Sequence, residues 1–337
     1  MRTAIVGAGL QGNRRASALR LADGDRLLLV ADIDSEAAQR LAQEYGCLAT
    51  RRWQDVIETE EVEAVLICTP PHLHASIAVA ALRRGKHVLC EKPLGRNPTE
   101  ARRMLDAAQE SGVRIKCGLN HRHHPAIRQA KLWCDEGQIG EIMFIRSRHG
   151  IAGREGYDRE WRAQGEISGG GELIDQGVHG LDLARWFLGE FSECFAFLSS
   201  SYWEIGPLED NAFALLRTTG GQVASLHASW TEWRNLFSFE VFGKEGYVKV
   251  EGLNGSYGTE RAVLGKRSPS APFRERVIEF RGEDRSWAEE WREFVAAVDE
   301  GREPLGSGRD GLMASRLTEA LYESARTGRM VAPGDPA

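Results

Sequence analysis

Two side chains that can move protons lie four residues apart near the middle of the chain. Asp175 and His179 follow the glycines Gly169–Gly171, in a stretch whose apolar pattern predicts a helix to about Leu188. Residues four apart in a helix share one face, about one turn apart. A histidine titrates near neutral pH and can accept the proton of a substrate hydroxyl. The pair predicts acid–base chemistry, although the spacing alone also fits an ordinary surface pair.

A lysine stands at the end of a predicted strand. The apolar run His87–Cys90 is followed by Glu91, Lys92 and Pro93. Open α/β sheets bind ligands beyond the carboxyl ends of their strands. An ammonium group there can hydrogen-bond a substrate oxygen and stabilise developing negative charge, whereas a solvated lysine is the alternative. The Lys92–Pro93 peptide is a candidate for the cis form, which costs little before proline.

The first residues of the chain carry a dinucleotide-binding pattern. Gly7, Gly9 and Gly12 are spaced G-x-G-x-x-G, between the strand-like run Thr3–Val6 and a helical stretch, Asn13–Leu21. The first glycine allows a tight turn, the second lets a pyrophosphate approach the backbone, and the third lets helix and strand pack closely. The helix N-terminus attracts the phosphates. We therefore predict a bound dinucleotide.

An acidic residue at the end of the second predicted strand bears on which dinucleotide binds. Asp32 stands twenty residues beyond Gly12, where a carboxylate can accept both ribose hydroxyls of NAD and repel the 2′-phosphate of NADP. Asp34 is a competing candidate, although it resembles a helix-entry residue. Arg14 and Arg15 are placed where either could reach a phosphate. NAD is the expected cofactor and NADP the less favoured one.

The elements around these residues change in kind near Asn120. Up to that point, continuous apolar runs alternate with amphipathic helical stretches, which is typical of a parallel sheet covered on both faces. Beyond it, from Ser192 to about Phe280, strand-like runs follow one another through short turns and predict a mainly antiparallel sheet. We predict an α/β Rossmann domain over 1–120 and an α+β domain with a large open-faced sheet over 121–330.

Composition excludes several classes of protein. The net charge of −6 gives no clustered basic face for nucleic acid. The sequence has no apolar run of the ~20 residues that a membrane span needs, and no secretory leader is apparent. The six cysteines show no C-x-x-C spacing, which favours a reduced, cytoplasmic protein. His72, His74, His121, His123 and His124 lack carboxylate or cysteine partners at ligand spacing, so no metal site is expected.

Three further segments complete a family pattern. They are Thr69-Pro70-Pro71-His72-Leu73-His74, then Gly85-Lys86-His87-Val88-Leu89-Cys90-Glu91-Lys92-Pro93, then Gly169-Gly170-Gly171-Glu172-Leu173-Ile174-Asp175-Gln176-Gly177-Val178-His179. With the N-terminal glycines, the chain resembles the Gfo/Idh/MocA oxidoreductases over nearly its whole length. Many relatives carry a histidine shortly after the third glycine, where this chain has Arg14 and Arg15. The resemblance implies a Rossmann domain followed by a domain whose broad sheet often forms an oligomer interface.

The resemblance also implies site residues. Lys92, Asp175 and His179 match the family's catalytic group. Around the cofactor, the matching positions are Gly7, Gly9, Leu10, Gln11, Gly12, Asp32, Thr69, Pro70, His74, Glu91 and Lys92. Besides His179, the candidate substrate contacts are Arg122 and His123 after the last Rossmann strand, and Tyr157, Trp161 and Arg162 in the charged segment Arg154–Arg162.

These residues lead to one expected function and two alternatives. We expect an NAD-dependent dehydrogenase that oxidises a secondary hydroxyl of a sugar, cyclitol or sugar nucleotide, for instance the 3-hydroxyl of a UDP-N-acetylhexosamine. The alternatives are a glycoside hydrolase or lyase that uses NAD for transient oxidation, and a non-catalytic NAD-binding regulator. We expect a homo-oligomer, dimer or tetramer, formed through the C-terminal sheet, and neither nucleic acid nor membrane as a partner.

Overall fold

The chain divides into two compact units. The computed structural model describes residues 1–22, 24–268 and 274–334. The first unit consists of Met1–Asn120 and Arg285–Ser315, and the second of His121–Asp284 with the chain from Arg316 onward. This division differs from the predicted domains over 285–315. Those residues belong to the first unit, because Trp291 and Phe294 are buried in its core.

The first unit contains a six-stranded parallel sheet in the order β3-β2-β1-β4-β5-β6. Its strands are β1 Arg2–Val6, β2 Arg26–Ala31, β3 Leu48–Thr50, β4 Ala64–Ile67, β5 His87–Glu91 and β6 Ile115–Gly118. The accompanying helices are α1 Leu10–Arg20, α2 Ser35–Tyr45, α3 Trp53–Glu58, α4 His74–Arg83 and α5 Pro98–Ser111. The predicted Rossmann fold is therefore confirmed.

Local sequence signals explain where these helices begin. The Asp34 carboxylate accepts hydrogen bonds from the first backbone N–H groups of α2, so Asp34 is a helix cap. The Asn97 side chain caps α5 in the same way, with Pro98 in the first turn. Apolar side chains cover both faces of the sheet in two separate clusters, as a parallel sheet requires.

The second unit is organised around an eight-stranded sheet in the order β14-β13-β12-β11-β7-β10-β9-β8. Its strands are β7 Ile142–Gly150, β8 Phe191–Ser199, β9 Asn211–Thr218, β10 Val223–Ser229, β11 Leu236–Gly243, β12 Gly246–Glu251, β13 Glu260–Lys266 and β14 Glu275–Phe280. Its helices are α6 Pro125–Asp135, the short α7 Gly165–Ser168 and α8 Val178–Leu188. The mainly antiparallel sheet is confirmed, with one exception: β7 and β10 pair in parallel.

The two faces of this sheet have different surroundings. One face packs against α6 and α8 in the largest apolar cluster of the unit. On β8 and β9 the other face carries Phe197, Phe213 and Leu215, which are about half or more exposed. The chain closes with α9 Ser286–Asp299 in the first unit and α10 Gly308–Thr327, whose residues divide between the units at Ser315.

The predictions on membrane spans and on cysteines can be compared with the structure. Across the described ranges, no helix is long and apolar enough to cross a membrane. All six cysteines are free thiols.

Candidate active site

The glycine turn of the first unit leaves room only where a dinucleotide needs it. Gly7 has a φ of +104°, and a Cβ there would lie 2.6 Å from the carbonyl oxygen of Cys68. A Cβ on Gly12 would lie 1.9 Å from the carbonyl oxygen of Gly7. By contrast, nothing described lies within 4 Å of a Cβ built on Gly9. The backbone is thus open at Gly9, directly before α1, where phosphate groups bind helix N-termini.

Asp32 lies beside this turn at the end of β2. One of its carboxylate oxygens accepts the backbone N–H of Ala8 at 2.6 Å, and the other accepts that of Asp34 at 2.9 Å. These bonds fix the carboxylate, and each oxygen keeps a further lone pair for a ribose hydroxyl. Leu10 and Ile33 are strongly exposed apolar side chains next to these polar groups. The arrangement fits a dinucleotide.

The loop after β4 contributes a threonine and a histidine. Thr69 Oγ1 is buried and has no hydrogen-bond partner in the parts of the chain that the structure describes. His74, at the start of α4, places Nε2 2.8 Å from the Thr69 carbonyl oxygen and Nδ1 2.9 Å from that of Pro93. Burial lowers the pKa of His74. The histidine thus ties the loop that begins at Thr69 and Pro70 to the segment after β5.

The residues at the end of β5 have two different environments. The peptide between Lys92 and Pro93 is cis, as predicted, and the Lys92 side chain is half-buried. Glu91, which was expected at the cofactor, has its side chain paired with Arg15: Arg15 Nε donates to its carboxylate at 2.7 Å. Arg15 also donates to Glu290 at 2.6 Å and is fully buried. The expectation that Arg15 reaches a phosphate is therefore wrong, whereas Arg14 stays exposed.

In the second unit, the two residues of the predicted acid–base pair lie in different kinds of helix. Asp175 lies in a π-helical turn, Leu173–Gly177, and His179 lies in the first turn of α8 directly after it. The imidazole of His179 is buried, and Asp175 is half-buried. Single π-helical turns are frequently found at functional sites. The two side chains are therefore not on a solvated helix face.

The charged segment before this turn reaches Asp175 through Arg162. The Nε of Arg162 lies 3.5 Å from an Asp175 carboxylate oxygen, and its guanidinium stacks on Trp161 with 4.3 Å to the ring centre. Tyr157 is buried against Trp230, with ring centres 4.7 Å apart. Burial raises the pKa of the Tyr157 hydroxyl, and the negative charges of Asp175 and Glu172 raise it further. Arg162 and Trp161 remain half-exposed, whereas Tyr157 is part of a small core.

Arg122 and His123, the other predicted substrate contacts, are buried. Arg122 donates two hydrogen bonds to the carboxylate of Asp182, at 2.7 and 2.8 Å, and its guanidinium lies over Trp186. A bidentate pair of this kind fixes the loop after β6 to α8. A structural role thus accounts for Arg122 without a substrate.

The sequence did not predict that other histidines lie close to His179. His121 stacks on it with 3.8 Å between ring centres, and His149 of β7 lies 5.1 Å from His121. His149 Nε2 is 3.1 Å from the Tyr257 hydroxyl. No local pattern could reveal this cluster, because its members come from separate elements. Within the described ranges, no group of three or more His, Cys, Asp or Glu side chains could hold a metal ion.

Comparison with known proteins agrees with this geometry. Residues 1–119 match the GFO_IDH_MocA oxidoreductase family with its NAD-binding Rossmann fold, and residues 127–249 match the GFO/IDH/MocA C-terminal domain. The chain is 30% identical to levoglucosan dehydrogenase of Pseudarthrobacter phenanthrenivorans, covering 88% of this chain and 87% of that protein. It is 28% identical to inositol 2-dehydrogenase of Rhizobium meliloti, covering 98% of each.

A solved structure shows the same fold along both units. Levoglucosan dehydrogenase in complex with NADH and L-sorbose matches with a TM-score of 0.91 and 26% identity, covering 100% of this chain and 99% of that one. The NAD-binding Rossmann family model and the C-terminal domain model match this chain in that order. The protein is an NAD(P)-dependent oxidoreductase that belongs to the Gfo/Idh/MocA family.

Proposed function

We propose that this enzyme oxidises a secondary hydroxyl of a sugar or cyclitol, with His179 as the general base. The observation that carries the proposal is the buried imidazole of His179 directly after the π-helical turn that holds Asp175. A non-catalytic NAD-binding protein has no use for a proton acceptor there. The names of the relatives, levoglucosan and inositol dehydrogenases, favour a polyhydroxylated ring as substrate.

Each proposed catalytic residue has one task. His179 accepts the hydroxyl proton, and the Lys92 ammonium donates a hydrogen bond to the same oxygen and stabilises its developing negative charge. Asp175, held by Arg162, orients the substrate and favours the protonated form of the base after transfer. A bound NAD would supply the acceptor for the hydride that leaves the carbon carrying this oxygen. The alcohol thus becomes a carbonyl, and the proton remains on the protein.

We infer that NAD is preferred over NADP. The Asp32 carboxylate is fixed by two backbone N–H groups beside the glycine turn, where it would repel a 2′-phosphate. Arg15, a candidate to offset that repulsion, is buried with Glu91 and Glu290. Of the two arginines that follow the glycine turn, only Arg14 stays exposed.

A sugar nucleotide is less favoured than a free ring. The expectation of a UDP-N-acetylhexosamine depended on the arginines of 154–162, which were to hold a diphosphate. Arg154 is engaged by Glu160 at 2.6 Å, and Arg162 contacts Asp175 and Glu160. At Arg154 and Arg162, a diphosphate would have to displace these carboxylates. No observation favours it over a free sugar or cyclitol.

The proposed function is tested by a substrate panel with NAD and NADP in parallel. Levoglucosan, myo-inositol, aldoses and sugar nucleotides are incubated with the protein while NADH absorbance is followed. We expect NADH formation with a free sugar or cyclitol. His179→Asn and Lys92→Met should each lower kcat by about 10²–10⁴, and His179→Asn should leave NADH binding unchanged. His87→Asn is the control, because His87 lies at the start of β5, at the other end of that strand from Glu91.

Two results would contradict the proposal. Full turnover by both site variants would remove His179 and Lys92 from the mechanism. Glycoside cleavage without net NADH formation would instead support the alternative of transient oxidation.

We also propose a homo-oligomer that associates through the outer face of the second unit's sheet. Phe197 and Phe213 are directly paired across β8 and β9, and both are exposed together with Leu215. Contiguous exposed apolar side chains of this kind mark interaction surfaces. Sedimentation of the wild type and of Phe213→Glu tests this. We expect a dimer or tetramer that dissociates in the variant, and a monomeric wild type would refute it.

A further inference from the structure

Two buried imidazoles lie face to face in the second unit. His121, in the short 3-10 helix Asn120–His123, stacks on His179 with ring centres 3.8 Å apart and planes inclined by 11°. Both side chains are almost completely buried. The contact brings a second titratable group against the proposed base, and the dehydrogenase mechanism described above gives it no role.

We propose that His121 and His179 share a single proton, so that His121 keeps the imidazole of His179 neutral and able to accept the substrate proton. The role of His179 as the base rests on the proposed function, whereas the shared proton rests on the stacking alone. Two protonated rings at this separation would place two positive charges within about 4 Å of each other in a buried site. Like charges this close strongly disfavour double protonation.

The position of His121 is fixed from other directions. The ring of Phe237 meets it edge-on at 5.4 Å, and the ring of His124 does so at 5.6 Å. His124 in turn places Nδ1 3.0 Å from the Glu260 carboxylate, which also accepts the backbone N–H of Ala126. His121 is therefore enclosed by packed groups, and the two rings cannot separate without moving them.

Two further imidazoles lie close to the pair. They are His124, which is bonded to Glu260, and His149, which lies 3.1 Å from the Tyr257 hydroxyl. Along the chain, Asp175 and Asp182 lie about one turn before and one turn after His179, and Asp182 is paired with Arg122. His149 lies farther from His179, at 6.2 Å between ring centres. Of these imidazoles, His121 is therefore the nearest to His179.

A shared proton changes how His179 behaves in acid. In a coupled pair, the first proton distributes between both rings, so that a fraction of the singly protonated molecules keeps His179 neutral. A second proton binds only at lower pH. An isolated His179 would simply be lost as a base over about one pH unit. The pair therefore extends activity towards acid.

Histidine-selective NMR titration of the NADH-bound protein tests the sharing directly. The ring resonances of His179 are followed from about pH 5 to 9 in the wild type and in His121→Phe, which keeps a stacked ring but binds no proton. We expect His179 to protonate in two steps in the wild type. In the variant it should protonate in one step, at a pH between the two wild-type steps.

A second variant and a control make the result decisive. His121→Asn also removes the titratable ring, with a smaller side chain, and serves if phenylalanine does not fit at this position. It should give the same one-step titration of His179. His227→Phe removes an imidazole that stacks on Phe213 at 4.1 Å elsewhere in the unit, and it should leave the His179 titration unchanged. The same His179 curve in the wild type and in both His121 variants would overturn the proposal.

Kinetics separate this inference from the proposed function. With a substrate from the panel, kcat/KM of His121→Phe should fall about tenfold relative to the wild type at the acid end and stay within about threefold above pH 8. A loss of the same size at every pH would indicate a purely structural role and refute the sharing. If His179→Asn retains turnover while the two-step titration is observed, the proposed function fails and the shared proton stands.

Discussion

Replacing Arg15 by methionine should destabilise the first unit strongly. The guanidinium is fully buried, and it hydrogen-bonds Glu91 at 2.7 Å and Glu290 at 2.6 Å. Methionine keeps part of the side-chain volume but leaves two buried carboxylates without this partner. Lys116, also fully buried, lies 3.4 Å from Glu290 and continues to compensate that group. The uncompensated charge is therefore mainly that of Glu91.

The expected loss is about 3–5 kcal/mol, which is the usual cost of removing one partner from a buried ion pair. A domain is stable by only about 5–15 kcal/mol, so the change is a large part of the total. Urea unfolding followed by circular dichroism measures it, with an expected midpoint shift of about 1–2 M. Arg14→Met is the matched control. Arg14 also lies near the Trp287 ring but is exposed, so its loss should stay within about 0.5 kcal/mol.

The pH dependence gives an independent test of the same reasoning. Burial raises the pKa of Glu91 in the folded protein, and the Arg15 charge opposes that rise. A raised pKa means that the folded state binds a proton more readily than the unfolded chain, so stability decreases as the pH rises through it. Without Arg15 the pKa should rise further. The deficit of Arg15→Met should thus be smaller near pH 5 than near pH 8.

Neutralising the partner should restore part of the loss. In Arg15→Met with Glu91→Gln, the buried carboxylate is replaced by an amide, so the double variant should be more stable than Arg15→Met alone. A loss below about 1 kcal/mol in the single variant, or one that does not change with pH, would refute the electrostatic argument.

Three further perturbations have defined outcomes. Asp32→Ala should reduce the preference for NAD over NADP, measured as the ratio of the two kcat/KM values, and an unchanged ratio would contradict the assigned role. Gly12→Ala should cost about 3 kcal/mol or more in urea unfolding and weaken NADH binding, because its Cβ would lie 1.9 Å from the Gly7 carbonyl oxygen. Asn97→Ala should cost about 1 kcal/mol through loss of the α5 cap, with NADH affinity unchanged.

Much of the fold follows from local patterns in the chain. Apolar runs alternating with helical stretches predict the parallel sheet, and the caps at Asp34 and Asn97 are readable because a cap depends on a few consecutive residues. The sequence did not predict that residues 285–315 belong to the first unit. Trp291 and Phe294 give a helix an apolar face, but periodicity does not say which unit that face packs against. The parallel pairing of β7 with β10 was missed for a related reason: short turns between successive strands predict antiparallel neighbours.

The sequence by itself determined the dinucleotide turn, the acidic residue at the end of β2, and the motif residues Lys92, Asp175 and His179. These features depend on spacing along a few residues, so the chain records them directly. Only the tertiary structure decided that Arg15 is buried between Glu91 and Glu290 and that His121 stacks on His179. Such pairings join elements that are far apart in the chain, so no local pattern records them. Burial removes these charged and titratable groups from water, and their mutual interactions are stronger for that reason.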